Sequence, residues 1–435
     1  MQLKRSVGLY SLVFIAVSGV IGSGWLFGPM YAAQLAGPAA LISWLLGAFV
    51  MFLLALTYAE SSAMLPVPGG IVRLPHITHG NVVSFTMGWS ALVCYIMTAP
   101  IEVRAALQYA SDRYPQLLGP HDTLSWLGFA IGGLMMLIFC IINAVGVAFF
   151  ARINNSITGF KIVVPIFTAL LLIGSHFHPK NFYAFGGFMP YGFKGVFSAV
   201  TAGGIIWAFI GFRHVISMAG EARRPKRDIP MALIIGVLIC VGIFELVEVA
   251  FIGSVQPSLL QHGWHHMSIL GGNGPMAVLA LSLGMIWLAS LLYLNAFVGS
   301  LGSGLVAFSS TARIVMGLSQ NGYFPKIMQK LSKRRVPIWG ILLNTVVGIL
   351  CLLPFPTWKE LLTFHIAAGV LSFSMGPVCV LSLRRQLPNR ERKFKLPYVH
   401  LIAPLGFVLA TFVLYWSGWL ALWRLAVAML LGFVV

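Results

Sequence analysis

The stretch SGVIGSGWLFG, Ser18–Gly28, decides how this chain folds. It lies in the middle of the first long apolar segment, yet it places four glycines and two serines in eleven residues. Each interior glycine costs a helix about 1 kcal/mol relative to alanine, so the first helix is expected to break here, at mid-membrane depth. Unpaired backbone N–H and C=O groups are costly in hydrocarbon, and a break is tolerated only where it is buried in protein or lines a cavity. The freed groups are then ligands. N–H groups opening a half-helix suit a carboxylate, aided by the helix dipole, and freed carbonyls on the other half suit an ammonium. Together they describe a site for an α-amino acid. Close helix packing through small residues is the competing explanation for the glycines.

Working outward, hydrophobic residues make up 59% of the chain, charged residues 9%, and the mean hydropathy is +0.90. A soluble domain carries about 25% charged residues, so this chain reads as an all-α polytopic membrane protein. The run from Gly8 to Phe27 starts early and has no small-residue cleavage site, so it reads as a retained span rather than a signal peptide. Apolar windows of about 20 residues lie near 8–29, 38–59, 82–109, 124–148, 155–175, 196–216, 231–253, 276–304, 338–356, 361–383 and 400–417. A short twelfth, 419–435, holds Arg424. These uninterrupted runs lack period-two alternation, which excludes a β-barrel. The longest polar loop, roughly 313–337, is too short to bury a core of its own.

The net charge of +18 is topological. With a cytoplasmic N-terminus, only Arg113, Lys180, Lys194 and Lys359 of the 28 Lys and Arg lie outside, and Arg104, Lys161, Arg213 and Arg424 lie within spans. The rest fall on inner loops, the positive-inside pattern of a multi-pass plasma-membrane protein. The basic excess implies anionic membrane lipid as a partner, not nucleic acid. All five cysteines sit in apolar spans without a CxxC pair and read as core residues. The HGWHH run, 262–266, lacks metal-ligand spacing and reads as exposed loop histidines. No metal and no cofactor are expected.

A second break is expected five spans later, in TAGGIIWAFIGFR, Thr201–Arg213. Interrupted helices at matching positions of two halves point to the binding site of an inverted-repeat transporter. The halves would be 1–175 (spans one to five) and 196–383 (spans six to ten), with 400–435 peripheral.

The segments GVIGSGWLF (19–27), AFIGF (208–212), GEARRPKRDIP (220–230) and STARIVMGLSQNGYFP (310–325) resemble amino acid–polyamine–organocation (APC) permeases over essentially the full chain. GSGWLF (22–27), GGIVRLP (69–75), IEV (101–103), GFRH (211–214), HGW (262–264) and YWSGW (415–419) resemble the aspartate–proton symporter branch most closely. The resemblance implies a LeuT-type 5+5 inverted repeat of 11–12 helices, broken at helices 1 and 6. It also implies that Ser23 and Gly24 meet the substrate α-carboxylate, and that the carbonyls of Val20, Trp207 and Ile210 take its ammonium. The Trp207 ring would gate the site, although core packing is an equal use of a tryptophan. Glu221 is implied to belong to the inner gate, with Arg313 as a candidate partner, and Pro230 suits the first turn of span seven. The run Asn389–Lys395 reads as a plain basic anchor at the headgroups.

Ionisable groups inside a bilayer are functional candidates by default. Through the resemblance, Lys161 matches a lysine that fills a sodium site in proton-coupled relatives, so it is expected to carry or sense a coupled H+. A fixed tether to span-one carbonyls is the alternative. Arg213 departs from the glutamate that many members carry. A guanidinium there offers a bidentate partner to a second carboxylate and repels cations, unless it pairs with Glu102, Glu245 or Glu248. Glu102 reads as an ion pair or a proton relay, and Glu245 and Glu248, three apart on one face, as a further candidate pair.

The function this predicts is secondary active import of an amino acid, acidic by the Arg213 argument, by proton symport. A neutral amino acid importer or an exchanger with a structural Arg213 is the alternative. An enzyme is not indicated, since no nucleophile–base set, HExxH spacing or Walker A loop is present. A channel would want a filter repeat or pore rings, and none is visible. A sensor or partner-dependent subunit stays open, as do oligomeric state and stoichiometry.

Overall fold

The computed structural model describes residues 3–120, 123–267, 274–353 and 358–434. Positions 354–356 of the ninth apolar window, Val435 of the last and the side chain of Lys359 lie outside the described residues.

The glycine-rich stretch does break the first span. Helix α1 (Leu9–Val20) stops, Ile21–Ser23 are not helical, and α2 (Gly24–Ala36) restarts. Then follow α3 (Ala40–Met64), α4 (Gly70–Ala110, kinked at Gly80), α5 (Trp126–Val145) and α6 (Val147–Ser175). The sixth span is broken as well. Helix α7 (Gly192–Ala202) is followed by α8 (Ile205–Phe209), a 3-10 turn and α9 (Arg213–Ser217), with a bend of 46° at the break. The remainder comprises α10 (Pro225–Ser254), α11 (Pro275–Ser282), α12 (Ile286–Gln320), α13 (Ile338–Leu350), α14 (Trp358–Phe373), α15 (Met375–Gln386), α16 (Val399–Trp416) and α17 (Trp419–Val434). Among the described residues, eight helical stretches are long and apolar enough to cross a membrane, nine with the bent pair, so the protein is multi-pass.

Four expectations are corrected. The window 276–304 is two helices, parted at Leu283–Met285 where Gly284 has φ 75°. Helix α12 then continues through Gln320, so 313–320 is helix and not loop, and 313–319 is buried. Its polar residues look outward in sequence but have partners inside the protein: the Thr311 hydroxyl donates to the Tyr95 carbonyl at 2.9 Å. Pro225, not Pro230, opens α10, since the helix begins before the basic run has ended. Finally, Asn389–Lys395 is more than a headgroup anchor. Arg392 donates to the carbonyls of Leu383 and Leu387 at the end of α15 and lies 3.4 Å from the Glu60 carboxylate.

Helices α4 and α12 pack along one another at the centre, with α12 also against α1, α6 and α13, while α10 lies on α1, α3 and α6. The end of the bundle that carries most of the basic residues is closed. Val7 pairs with Ala222, the Val7 amide donating to Glu221 and the Arg223 amide to Val7 at 3.0 and 2.9 Å. Beneath this bridge Arg313 and Glu221, each 1% exposed, form the expected ion pair at 2.8 Å. Gly69 (φ 63°) donates to the Ser217 carbonyl at 2.9 Å and faces the Arg313 carbonyl.

Candidate functional site

The α1–α2 break is flanked by opposite charges from two other helices. Lys161 of α6 is fully buried, and its Nζ donates to the Ser18 carbonyl at 2.7 Å and the Ser303 hydroxyl at 2.8 Å. Ser303 of α12 in turn donates to Ser18 O at 2.7 Å and Ile21 O at 3.2 Å. A cation therefore caps the carbonyl end of α1. Opposite it, the Ser23 amide at the start of α2 donates to Glu102 Oε2 of α4 at 3.0 Å. Each charge is matched to the helix end it faces. The expected ion pair of Glu102 is not seen among the described residues: the backbone amide holds the carboxylate instead.

This arrangement bears on the residues assigned to an amino acid. The Ser23 amide is occupied by Glu102, whereas the Ser23 hydroxyl is buried and has no hydrogen-bond partner among the described residues. The Val20 carbonyl accepts from the Gly22 amide at 3.0 Å, and the Trp207 and Ile210 carbonyls accept from the amides of Ile210 and Arg213. A carbonyl oxygen has two lone pairs, so one such bond leaves room for a second. All these residues are buried.

The two breaks touch. A β-carbon on Gly24 would lie 3.0 Å from Ala208 Cβ and 3.3 Å from Trp207 Cδ1. One on Gly211 would overlap the backbone of Gly19 and Val20. The glycines thus serve close packing and helix interruption together, and the two explanations weighed from sequence are not exclusive.

Arg213, 0% exposed, pairs with none of Glu102, Glu245 or Glu248, and no ion pair to any described carboxylate forms. Its guanidinium donates to Thr98 and Cys94 of α4, lies 3.4 Å from His365 Nε2 of α14, and stacks over the Tyr95 ring at 4.2 Å. Its Nε has no hydrogen-bond partner among the described residues. His365 also bonds the Thr98 hydroxyl at 2.9 Å and meets the Trp207 ring edge-on at 4.6 Å, which ties the guanidinium to the second break. Sequence reasoning missed His365 and Thr98. An ionisable residue in the apolar run TFHIAAG (363–369) was the available signal for the first; only the fold places the second.

Glu248 is buried on α10, where it accepts from the Trp44 indole at 2.8 Å and leaves Oε1 unpartnered among the described residues. Trp44 packs against Phe209 of α8, which links Glu248 to the second break through that ring. Glu245 is partly exposed. No group of three metal-ligating side chains forms among the described residues.

A sequence profile described as "Amino acid permease" matches residues 7–435. The chain is 38% identical over 431 residues to the glutamate/serine transporter AimA of Bacillus subtilis, covering 96% of this chain and 78% of the relative. It is 34% identical over 421 residues to the aspartate-proton symporter of the same organism, covering 96% and 80%. It is 28% identical over 453 residues to that organism's branched-chain amino acid permease BcaP, covering 100% and 92%. With a full-length profile match and two such relatives above 30% identity, the chain belongs to the amino acid permease family of the APC superfamily, a family of transporters and not of enzymes.

Proposed function

We propose that the chain imports an acidic amino acid across the cell membrane by proton symport, with the basic end of the bundle cytoplasmic. The single observation that carries the substrate class is Arg213: a fully buried guanidinium linked through His365 to the second break, with no described carboxylate in ion-pair reach and an unpartnered Nε. Burying a charge without its counter-ion is expensive, and a substrate side-chain carboxylate supplies the missing partner. The names of two relatives, a glutamate/serine transporter and an aspartate-proton symporter, agree with this reading.

In this mechanism the α-ammonium sits at the carbonyls of Val20, Trp207 and Ile210, and the α-carboxylate goes to Ser23 and Gly24. The Glu102 carboxylate already holds the Ser23 amide, so the substrate must displace it. A protonated Glu102 has lost the charge that makes it a strong acceptor, so a proton taken up at Glu102 clears the amide and offsets the extra negative charge of the substrate. Lys161, anchored to Ser18 and Ser303, senses the same break from its other side and exchanges the proton with Glu102 as the site changes exposure. The repeats 1–175 and 196–383 would rock about the two breaks, with 400–435 outside the moving parts.

A second reading has one observation in its favour. The Thr98 hydroxyl and the Tyr95 ring already hold Arg213, which suits a structural role in a neutral amino acid importer or exchanger. Equilibrium binding of labelled L-aspartate and L-serine to the wild type and to Arg213→Gln separates the two. The proposal expects the variant to lose aspartate and keep serine; unchanged aspartate affinity would assign Arg213 to structure.

A further inference from the structure

At the basic end, a crevice of about 690 Å³ opens between α15, α16 and the kink of α4. Its walls are apolar side chains of membrane helices, among them Pro377, Leu381, Ala403, Pro404 and Phe407. Its rim is different: His79, Arg385 and His400 stand there together with Ser382. Arg384 also lines the crevice, but its charge is committed, since it donates twice to the Glu60 carboxylate at 2.9 and 2.7 Å. Arg385 is exposed and has no hydrogen-bond or ion-pair partner among the described residues, and the same holds for His400 in the first turn of α16. The floor is rigid. Gln386 donates to the Thr78 carbonyl at 2.8 Å, and Thr78 contacts Cys379 Sγ at 3.3 Å, which fixes the end of α15 to the α4 kink.

We propose that this crevice binds an anionic phospholipid, its phosphodiester on Arg385 and the first turn of α16, and an acyl chain along the Pro404–Phe407 wall. Basic pockets between membrane helices on the inner face bind acidic headgroups. A free inorganic anion would satisfy the rim but leave the apolar wall wet. The adjoining face of α16 is exposed and apolar, with Leu401 67% and Phe407 42% accessible, as a lipid contact requires. The leaflet rests on the orientation proposed above; the binding does not.

The test is native mass spectrometry of the full-length chain in detergent with phosphatidylglycerol, with phosphatidylcholine, and with inorganic phosphate alone. Phosphatidylglycerol is expected to be retained about fivefold more than phosphatidylcholine, the worth of one basic side chain at a membrane surface. Arg385→Gln should erase that preference, while Lys330→Gln, an exposed base elsewhere on the same end, should not. Ser382→Trp, which fills the crevice and leaves Arg385 in place, should also lose the lipid. Equal retention by Arg385→Gln, equal retention of phosphatidylcholine, or protection by phosphate alone would each overturn the site. None of these measurements involves transport, so their failure leaves the transport proposal untouched, and the reverse is equally true.

Discussion

The closed basic end makes its sharpest demand on one glycine. Gly69 opens α4 with φ 63°, and a β-carbon there would lie 2.5 Å from the Arg313 carbonyl oxygen and 3.2 Å from its carbon. Gly69→Ala therefore carries two costs. The left-handed conformation costs a residue with a β-carbon about 1–2 kcal/mol, and pressing α4 off α12 by several tenths of an ångström costs about 1–3 kcal/mol more. A total near 3 kcal/mol is a factor of about 150 in the equilibrium, charged against the state in which Arg313 and Glu221 are sealed. Two controls separate the terms. Gly322 has φ 91° and open space around it, so alanine there bears the backbone cost alone. Gly242, inside α10 with nothing within 4 Å, should tolerate alanine or gain from it by up to about 1 kcal/mol. Melting of the purified protein, read with hydrogen exchange at the Val7 and Arg223 amides, should rank the variants Gly242→Ala, Gly322→Ala, Gly69→Ala from most to least stable. If Gly69→Ala behaves like Gly322→Ala, the contact with the Arg313 backbone is not tight and the packing argument fails.

Further outcomes follow from the same geometry. Arg313→Gln or Glu221→Gln alone leaves one buried charge without its partner, a loss of about 3 kcal/mol or more, and should raise exchange at the Val7 amide about 100-fold; the double variant should recover most of it. A double-mutant cycle without coupling would show that this ion pair does not hold the basic end closed. Lys161→Ala should abolish pH-gradient-driven accumulation while permitting exchange of preloaded substrate, and accumulation that persists would exclude Lys161 from coupling. Glu102→Gln, a neutral side chain of the same shape, should weaken the pH dependence of substrate binding; a binding profile identical to wild type would refute the displacement step.

The two helix breaks were legible because glycine clusters act locally: Gly19, Gly22 and Gly24 weaken one helix, and Gly203 and Gly204 (φ 83°) another. The Glu221–Arg313 pair was also within reach, since both residues lie in recognisable motifs at the basic end. What lay beyond the sequence depends on distant partners. Glu102 and Ser23 are 79 residues apart, and nothing in Ile101–Val103 shows that a backbone amide will replace a cationic partner. The end of α12 was misplaced because Thr311 and Arg313 look solvent-facing until the protein interior supplies their hydrogen bonds. The kink at Gly284 was visible as a glycine, but a single glycine in an apolar run does not distinguish packing from a stop. Arg392 likewise passed for a headgroup anchor because its partner, Glu60, lies on α3.

The central claim is proton-coupled import of an acidic amino acid, and one measurement addresses it directly: L-aspartate uptake into proteoliposomes with an alkaline interior and no sodium, beside a control with the gradient collapsed. The account predicts accumulation above equilibrium that disappears with the gradient. Uptake that ignores the gradient, or no aspartate uptake while a neutral amino acid is carried, would contradict it.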